Sequence, residues 1–207
     1  MKKLIFALVC ALGLCTFAKA QTASERVVQF DKTSSKPGYS ITFNNSAKDV
    51  NEAIKKRMSK ETKSKASSVK GAKGVSKYAQ VSSGTFCSQS CDVYLKVEGN
   101  NTATTVTGFI SKGYDNFISA DNDSETANLL KTFLESLNKD IDAVVLANQI
   151  AAQEKVVQKV ENEYKKSVNS KDKLQKQLEK VDQNIKKLDV ERQNQKKVLD
   201  ELKAKSY

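Results

Sequence analysis

The 207-residue chain has no histidine and no tryptophan, a single proline and only eight glycines. Missing histidine removes the commonest general base and metal ligand near neutral pH. Ser-His-Asp and Cys-His nucleophiles and histidine-containing zinc sites are therefore excluded. The breakers are unevenly spread. Pro37 is the one proline and Gly113 the last glycine, so residues 114–207 contain neither. That half can be helical over long distances. Long apolar runs are also scarce. The one example, Leu4 through Phe17, is shorter than the roughly 20 residues that span a bilayer.

What is present begins with that run. Lys2 and Lys3 precede it and Ala18-Lys19-Ala20 follows it. A positive start, a short apolar stretch and small residues at the two recognition positions are the marks of a secretory leader. Residues 1–20 are expected to be a signal peptide cleaved after Ala20, leaving Gln21 first. A retained anchor and lipid attachment at Cys15 are the alternatives, but Leu14 is not the small residue that lipid attachment prefers. Loss of the leader removes Lys2, Lys3 and Lys19 and no acid, so the net charge falls from +11 to +8. It also removes Cys10 and Cys15 of the four cysteines. Cys87 and Cys91 remain, and in an oxidising compartment two such thiols pair. The three-residue spacing is not the Cys-x-x-Cys of redox enzymes, and a structural disulfide pinning the turn between two strands is expected.

The glycines at 38, 71, 74, 84, 99 and 108 punctuate residues 21–145 as turns punctuate a sheet. Val27 to Phe30 reads as a short strand, and Lys36-Pro37-Gly38 as a turn. Tyr39, Ile41 and Phe43 alternate with Ser40 and Thr42, the period of a half-buried strand. Ser46 and Asp49 form a helix start. Val50, Ala53, Ile54 and Met58 follow at helical spacing. Strands are expected near 76–86, 91–98 and 103–111, with a short one at Tyr114 to Ser119. Asp121 to Glu125 opens a second helix, whose Leu130, Phe133, Leu134, Leu137, Ile141, Val144 and Val145 are expected to cover the sheet. Asp121-Asn122-Asp123 resembles the start of a calcium loop, but the glycine and closing glutamate are absent, so capping explains it better. The expected class is α+β, a small antiparallel sheet with helices on one face.

Residues 146–207 are expected to form a helical coiled-coil region. Positions 174, 178, 181, 185, 188, 192, 195, 199 and 202 step by four and three alternately. They hold Leu174, Leu178, Val181, Ile185, Leu188, Arg192, Gln195, Leu199 and Leu202, a heptad seam with one polar interruption. Val157, Val160 and Tyr164 extend it upstream. Glu161/Lys165, Asp172/Lys176, Asp182/Lys186 and Glu201/Lys205 are i,i+4 pairs with the acid first. Two coverings of the seam are open. An antiparallel hairpin turning at Val168 to Lys171 sets Tyr164 near Leu174, Val160 near Leu178, Val157 near Val181 and Ile150 near Leu188. It also returns Leu199 and Leu202 toward Leu137, and it is the slightly favoured expectation. The alternative is an intermolecular coiled coil.

Residues 55–77 carry Lys55, Lys56, Arg57, Lys60, Lys63, Lys65, Lys70, Lys73 and Lys77 against Glu61 alone. A solvated flexible loop is the simple reading. The functional one is an anion-binding loop centred on Lys60, Lys63, Lys65, Lys70 and Lys73. Nucleic acid is excluded as partner by the expected export and by the lack of interleaved aromatics. Anionic envelope surfaces are the fitting target.

The segments Gly38-Tyr39-Ser40-Ile41-Thr42-Phe43-Asn44-Asn45-Ser46, Asp92 to Val97 and Ser111 to Ser119 resemble pieces of uncharacterised small secreted bacterial proteins that pair a small domain with a charged helical tail. The resemblance covers most of the chain after the leader and implies no catalytic residue. The expectation is an exported, non-enzymatic structural or interaction protein of the bacterial envelope, without cofactor or metal. Its coiled coil would serve assembly or partner binding. A periplasmic holdase-type chaperone and an envelope polyanion-binding protein are the alternatives.

Overall fold

The computed structural model describes residues 21–113 and 116–205. The expected leader, its Ala18-Lys19-Ala20 site and Cys15 lie outside the described residues. The elements are β1 (Ser24–Gln29), β2 (Ser35–Phe43), α1 (Ala47–Glu61), β3 (Ser67–Val69), β4 (Ala72–Val81), β5 (Cys91–Gly99), β6 (Thr104–Ser111) and α2 (Ser124–Lys205). The strands form one six-stranded sheet in the order β1-β2-β6-β5-β4-β3, antiparallel throughout. The fold is α+β, as the order of elements implied. The chain divides into two compact units, the first ending at Asn148 and the second beginning at Gln149.

In the first unit the alternation in β2 is realised. Tyr39, Ile41 and Phe43 are buried on the helix-bearing face of the sheet with Val93, Leu95, Val106 and Ile110. On the opposite face the Ser40 and Thr107 hydroxyls share a buried 2.8 Å hydrogen bond. The α1 stripe of Val50, Ala53, Ile54 and Met58 is buried as its spacing required. Ser46 caps α1, its side chain accepting from the Asp49 N–H. The first turns of α2 bury Leu130, Phe133, Leu134 and Leu137 on the same core. Gly108 makes this close approach possible, because a Cβ there would sit 2.7 Å from Leu130 Cδ1.

A second apolar cluster lies outside that core and was not foreseen. Phe30 packs at about right angles against Tyr94 and Phe109, with centroids 5.2 and 5.3 Å away. Phe117, bridged to Ser111, completes the cluster. The expected strand at Tyr114 to Ser119 is reduced to that single bridge among the described residues.

Three expectations are corrected. Lys36-Pro37-Gly38 is not a turn but part of β2, with Pro37 opposite Val27 of β1. Pairing of β2 with β6 begins only at Tyr39. Pro37 therefore sits where β2 has one neighbour, and its missing N–H costs no bond on the other side. The reversal lies instead at Asp31, whose Oδ1 accepts from the Thr33 and Ser34 amides at 2.8 Å each. The Thr33 amide first, then the Ser34 and Thr33 hydroxyls, hold the Asp31 carboxyl down at about 2. Secondly, residues 55–77 are not a flexible loop. They comprise the end of α1, a short connection and the β3–β4 hairpin, which turns at Gly71 with φ +83°.

The third correction concerns the hairpin of helices. α2 is one helix from Ser124 to Lys205, unbroken at Val168 to Lys171. The physical reason is local. That stretch contains no glycine or proline, and its serines do not compete with the helix. Ser167 Oγ donates to the Glu163 carbonyl at 3.0 Å and Ser170 Oγ to the Lys166 carbonyl at 2.9 Å. Both hydroxyls thus find acceptors one turn back within the helix. Without the turn, Val157, Val160 and Tyr164 do not meet Val181, Leu178 and Leu174.

Candidate functional site

The seam is built by α2 itself. Residues three and four apart lie one above another on a helix, so heptad spacing gathers the apolar side chains of the second unit into one strip. Val157, Val160, Tyr164, Leu174, Leu178, Val181, Ile185, Leu188, Leu199 and Leu202 are all exposed. Leu178 is 61% accessible and Ile185 58%, whereas Leu137 is 0%. Ile150, in phase with them, is exposed too. The structure thus places every predicted seam residue on one continuous helix and leaves the strip uncovered among the described residues. A lone strip of this width exposes apolar area that burial would stabilise by about 25 cal/mol per Å².

Charge along the helix differs from the expected ladder. Among the described residues Glu161/Lys165, Asp172/Lys176 and Asp182/Lys186 form no ion pair. In the second unit Arg192 pairs with Asp189.

The basic stretch resolves into two kinds of residue. Arg57 lies 3.0 Å from Glu61 and 3.3 Å from Asp140, tying α1 to the buried part of α2. Lys56 pairs with Glu52 at 2.8 Å and Lys77 with Asp92 at 2.7 Å. The hydrogen bond to Asp92, foremost, pushes the Lys77 ammonium pKa up. These cations are structural. Lys60, Lys63, Lys65, Lys70 and Lys73 are exposed and join no ion pair among the described residues. They are not gathered in one place. Lys60 and Lys63 border a hollow of about 620 Å³ between the end of α1 and the end of β4. Lys73 borders another, of about 490 Å³, which Lys32 and Lys96 share with Asp31 and Glu98. Lys96 is already 2.9 Å from Glu98.

The Cys87 and Cys91 sulfurs are at disulfide distance, 2.24 Å, at the end of the β4–β5 connection. Both cysteines are buried in the main core. Asp123 caps α2, its Oδ1 accepting from the Thr126 amide at 3.1 Å. It also pairs with Lys112, and that contact, foremost, draws the carboxyl down to about 2. The Asp121-Asn122-Asp123 stretch is thus a helix start. Asn122 joins it by accepting from the Ser119 amide at 2.8 Å and donating to the Phe117 carbonyl at 2.9 Å.

Among the described residues no helix is long and apolar enough to cross a membrane. Nor do any three metal-ligating side chains cluster there. No protein-family model, curated protein or solved structure matches this chain.

Proposed function

We propose that this is an exported, non-enzymatic interaction protein of the bacterial envelope, in which the α2 seam mediates assembly or partner binding. One observation carries the reading. Apolar side chains recur at heptad spacing from Ile150 to Leu202 on a helix whose seam is exposed throughout. A solitary helix gains nothing from keeping that period, whereas a second helix buries it. The sheet domain acts as a folded base, stiffened by the Cys87–Cys91 pair. Export follows from the Lys2-Lys3 start, the Leu4 to Phe17 run and the Ala18-Lys19-Ala20 site.

The test is made in cells. Fractionation with mass spectrometry should find a chain beginning at Gln21 outside the cytoplasm. A chain retaining Met1 in the cytoplasm overturns export. In-cell crosslinking should give higher-mass species that Leu178→Asp with Ile185→Asp abolishes. Unchanged species in that variant overturn the role of the seam. Loss of protection of an unfolding client by the same variant would favour the holdase reading.

A second reading rests on the exposed Lys60, Lys63, Lys65, Lys70 and Lys73, which suit weak, salt-sensitive contact with anionic envelope surfaces.

A further inference from the structure

This inference rests on the seam as the interaction surface and names its occupant. We propose that α2 docks against a second copy of this chain as an antiparallel coiled coil centred between Glu179 and Lys180.

The argument starts from what a parallel pair would require. In a parallel, in-register pair each core position faces its own counterpart. Lys171 would then lie against Lys171 and Arg192 against Arg192, two like-charge contacts within the seam. An antiparallel pair sets alternate core positions opposite each other. One register brings Leu178 against Val181 and Leu174 against Ile185 at the centre. The same register carries Val160 against Leu199 and Val157 against Leu202. Two polar interruptions also meet, Ser167 against Arg192. Two mismatches remain, Tyr164 against Gln195 and Lys171 against Leu188, and in each an amphipathic side chain can lie along its neighbour with its polar end in water.

Neighbouring registers fail this test. Sliding one heptad in one direction sets Leu174 against Arg192 and Ser167 against Leu199. Sliding the other way sets Val160 against Arg192 and Val157 against Gln195. The chosen alignment matches more core pairs than either neighbour, and both of its mismatches involve a side chain that can keep its polar end in water.

The residues bordering the seam select it again. Flanking positions set partner choice and orientation in coiled coils. In the chosen register Glu161 falls beside Lys196 of the second copy, and Glu154 beside its Lys203. The two-fold axis repeats each contact, giving four opposite-charge neighbours and no like-charge one. Glu154 and Glu161 flank the upstream end and Lys196 and Lys203 the downstream end, and these positions meet only when the second helix is reversed. A single chain cannot satisfy this register, because its centre lies at Glu179 and Lys180 inside the continuous helix.

The experiment uses the full chain after leader removal, with the Cys87–Cys91 pair intact. Val160→Cys and Leu199→Cys chains, one isotope-labelled, are mixed and oxidised. A 160–199 bridge between labelled and unlabelled chains should prevail. Bridges of 160–160 and 199–199 overturn the antiparallel arrangement while leaving the seam as interaction surface. Sedimentation equilibrium up to about 100 µM, well above a micromolar Kd, should show a dimer. A monomer throughout overturns the second copy, and the Leu178→Asp, Ile185→Asp result in cells then decides separately whether the seam binds something else. Glu161→Lys should raise the dimer Kd about tenfold, and adding Lys196→Glu should return it to within about threefold. No rescue overturns the register.

Discussion

Residues 124–148 and 149–205 of α2 belong to one helix and are apolar at similar spacing, yet they behave as opposites. In the first stretch Leu130, Phe133, Leu134 and Leu137 are buried against the sheet. In the second Leu174, Leu178, Ile185 and Leu188 stand in solvent. Helical propensity does not separate them, since both are rich in good helix formers. The difference lies in what else the chain supplies. The first stretch has Gly108 and the β5–β6 face to lie on. The second has a seam and, within its own chain, no surface described for it. Amphipathic period specifies that a face will be covered, and tertiary context decides by what.

The sharpest break of this comparison is a matched pair of truncations. Leu137→Ala removes a fully buried side chain and should destabilise the sheet domain by about 2–5 kcal/mol. The loss should appear in thermal or denaturant melting at any protein concentration. Ile185→Ala removes a side chain that is more than half exposed. It should leave that melting transition unmoved while raising the concentration at which chains associate. Equal loss of sheet-domain stability from both substitutions would mean that the second stretch is covered within its own chain.

The helix start provides a smaller effect. Asp123→Ala removes the cap of α2 and its contact with Lys112, and should cost about 1 kcal/mol. Its pH dependence has a definite sign. The folded carboxyl sits at about 2, below its ordinary 3.8. A depressed carboxyl stabilises the fold above its unfolded pKa and loses that contribution as pH falls toward the folded value. Asp31 is held at about 2 by its own turn, so both act in one window. Melting temperature should fall from about pH 4 toward pH 2, and less steeply in Asp123→Ala than in the parent chain. Identical slopes would remove Asp123 from the acid response.

Why some of this was legible in the sequence and some not is a matter of range. The Ser46 cap, the α1 stripe and the Tyr39-Ile41-Phe43 alternation are local patterns, and each is realised. Elements set by distant partners were not legible. Pro37 reads as a turn until β6 is known to pair only from Tyr39 onward. The β3 strand has no apolar alternation, and only Gly71 hinted at its hairpin. The Phe30, Tyr94, Phe109 and Phe117 cluster assembles from four separate places in the chain. The expected helical hairpin failed for a different reason. It matched apolar levels correctly but required a turn where the backbone has no cause to leave the helix. Among candidate site residues, the seam was found by period. The roles proposed for Glu161 and Lys196 concern a second chain, which no pattern within one chain displays.

The smallest effect tests the other contrast in the molecule, between cations that are paired and cations that are not. Arg57 ties α1 to Asp140, far along the chain, and Lys77 ties β4 to Asp92 on the neighbouring β5. Lys63, Lys65, Lys70 and Lys73 are exposed and joined to no acid among the described residues. Replacing the four together by glutamine should change stability by less than about 0.5 kcal/mol per site, as is usual for surface positions without partners. The same change lowers the positive charge of the α1–β4 region by four while leaving Arg57 and Lys77 in place. Retention on an anionic matrix should weaken, and the difference from the parent should shrink as salt rises, because exposed charges are screened beyond about 8 Å at physiological ionic strength. Arg57→Gln should do the reverse, lowering the melting temperature with little effect on retention. Unchanged retention in the fourfold variant would assign these lysines to solubility alone. A large loss of stability would show that they support the β3–β4 hairpin.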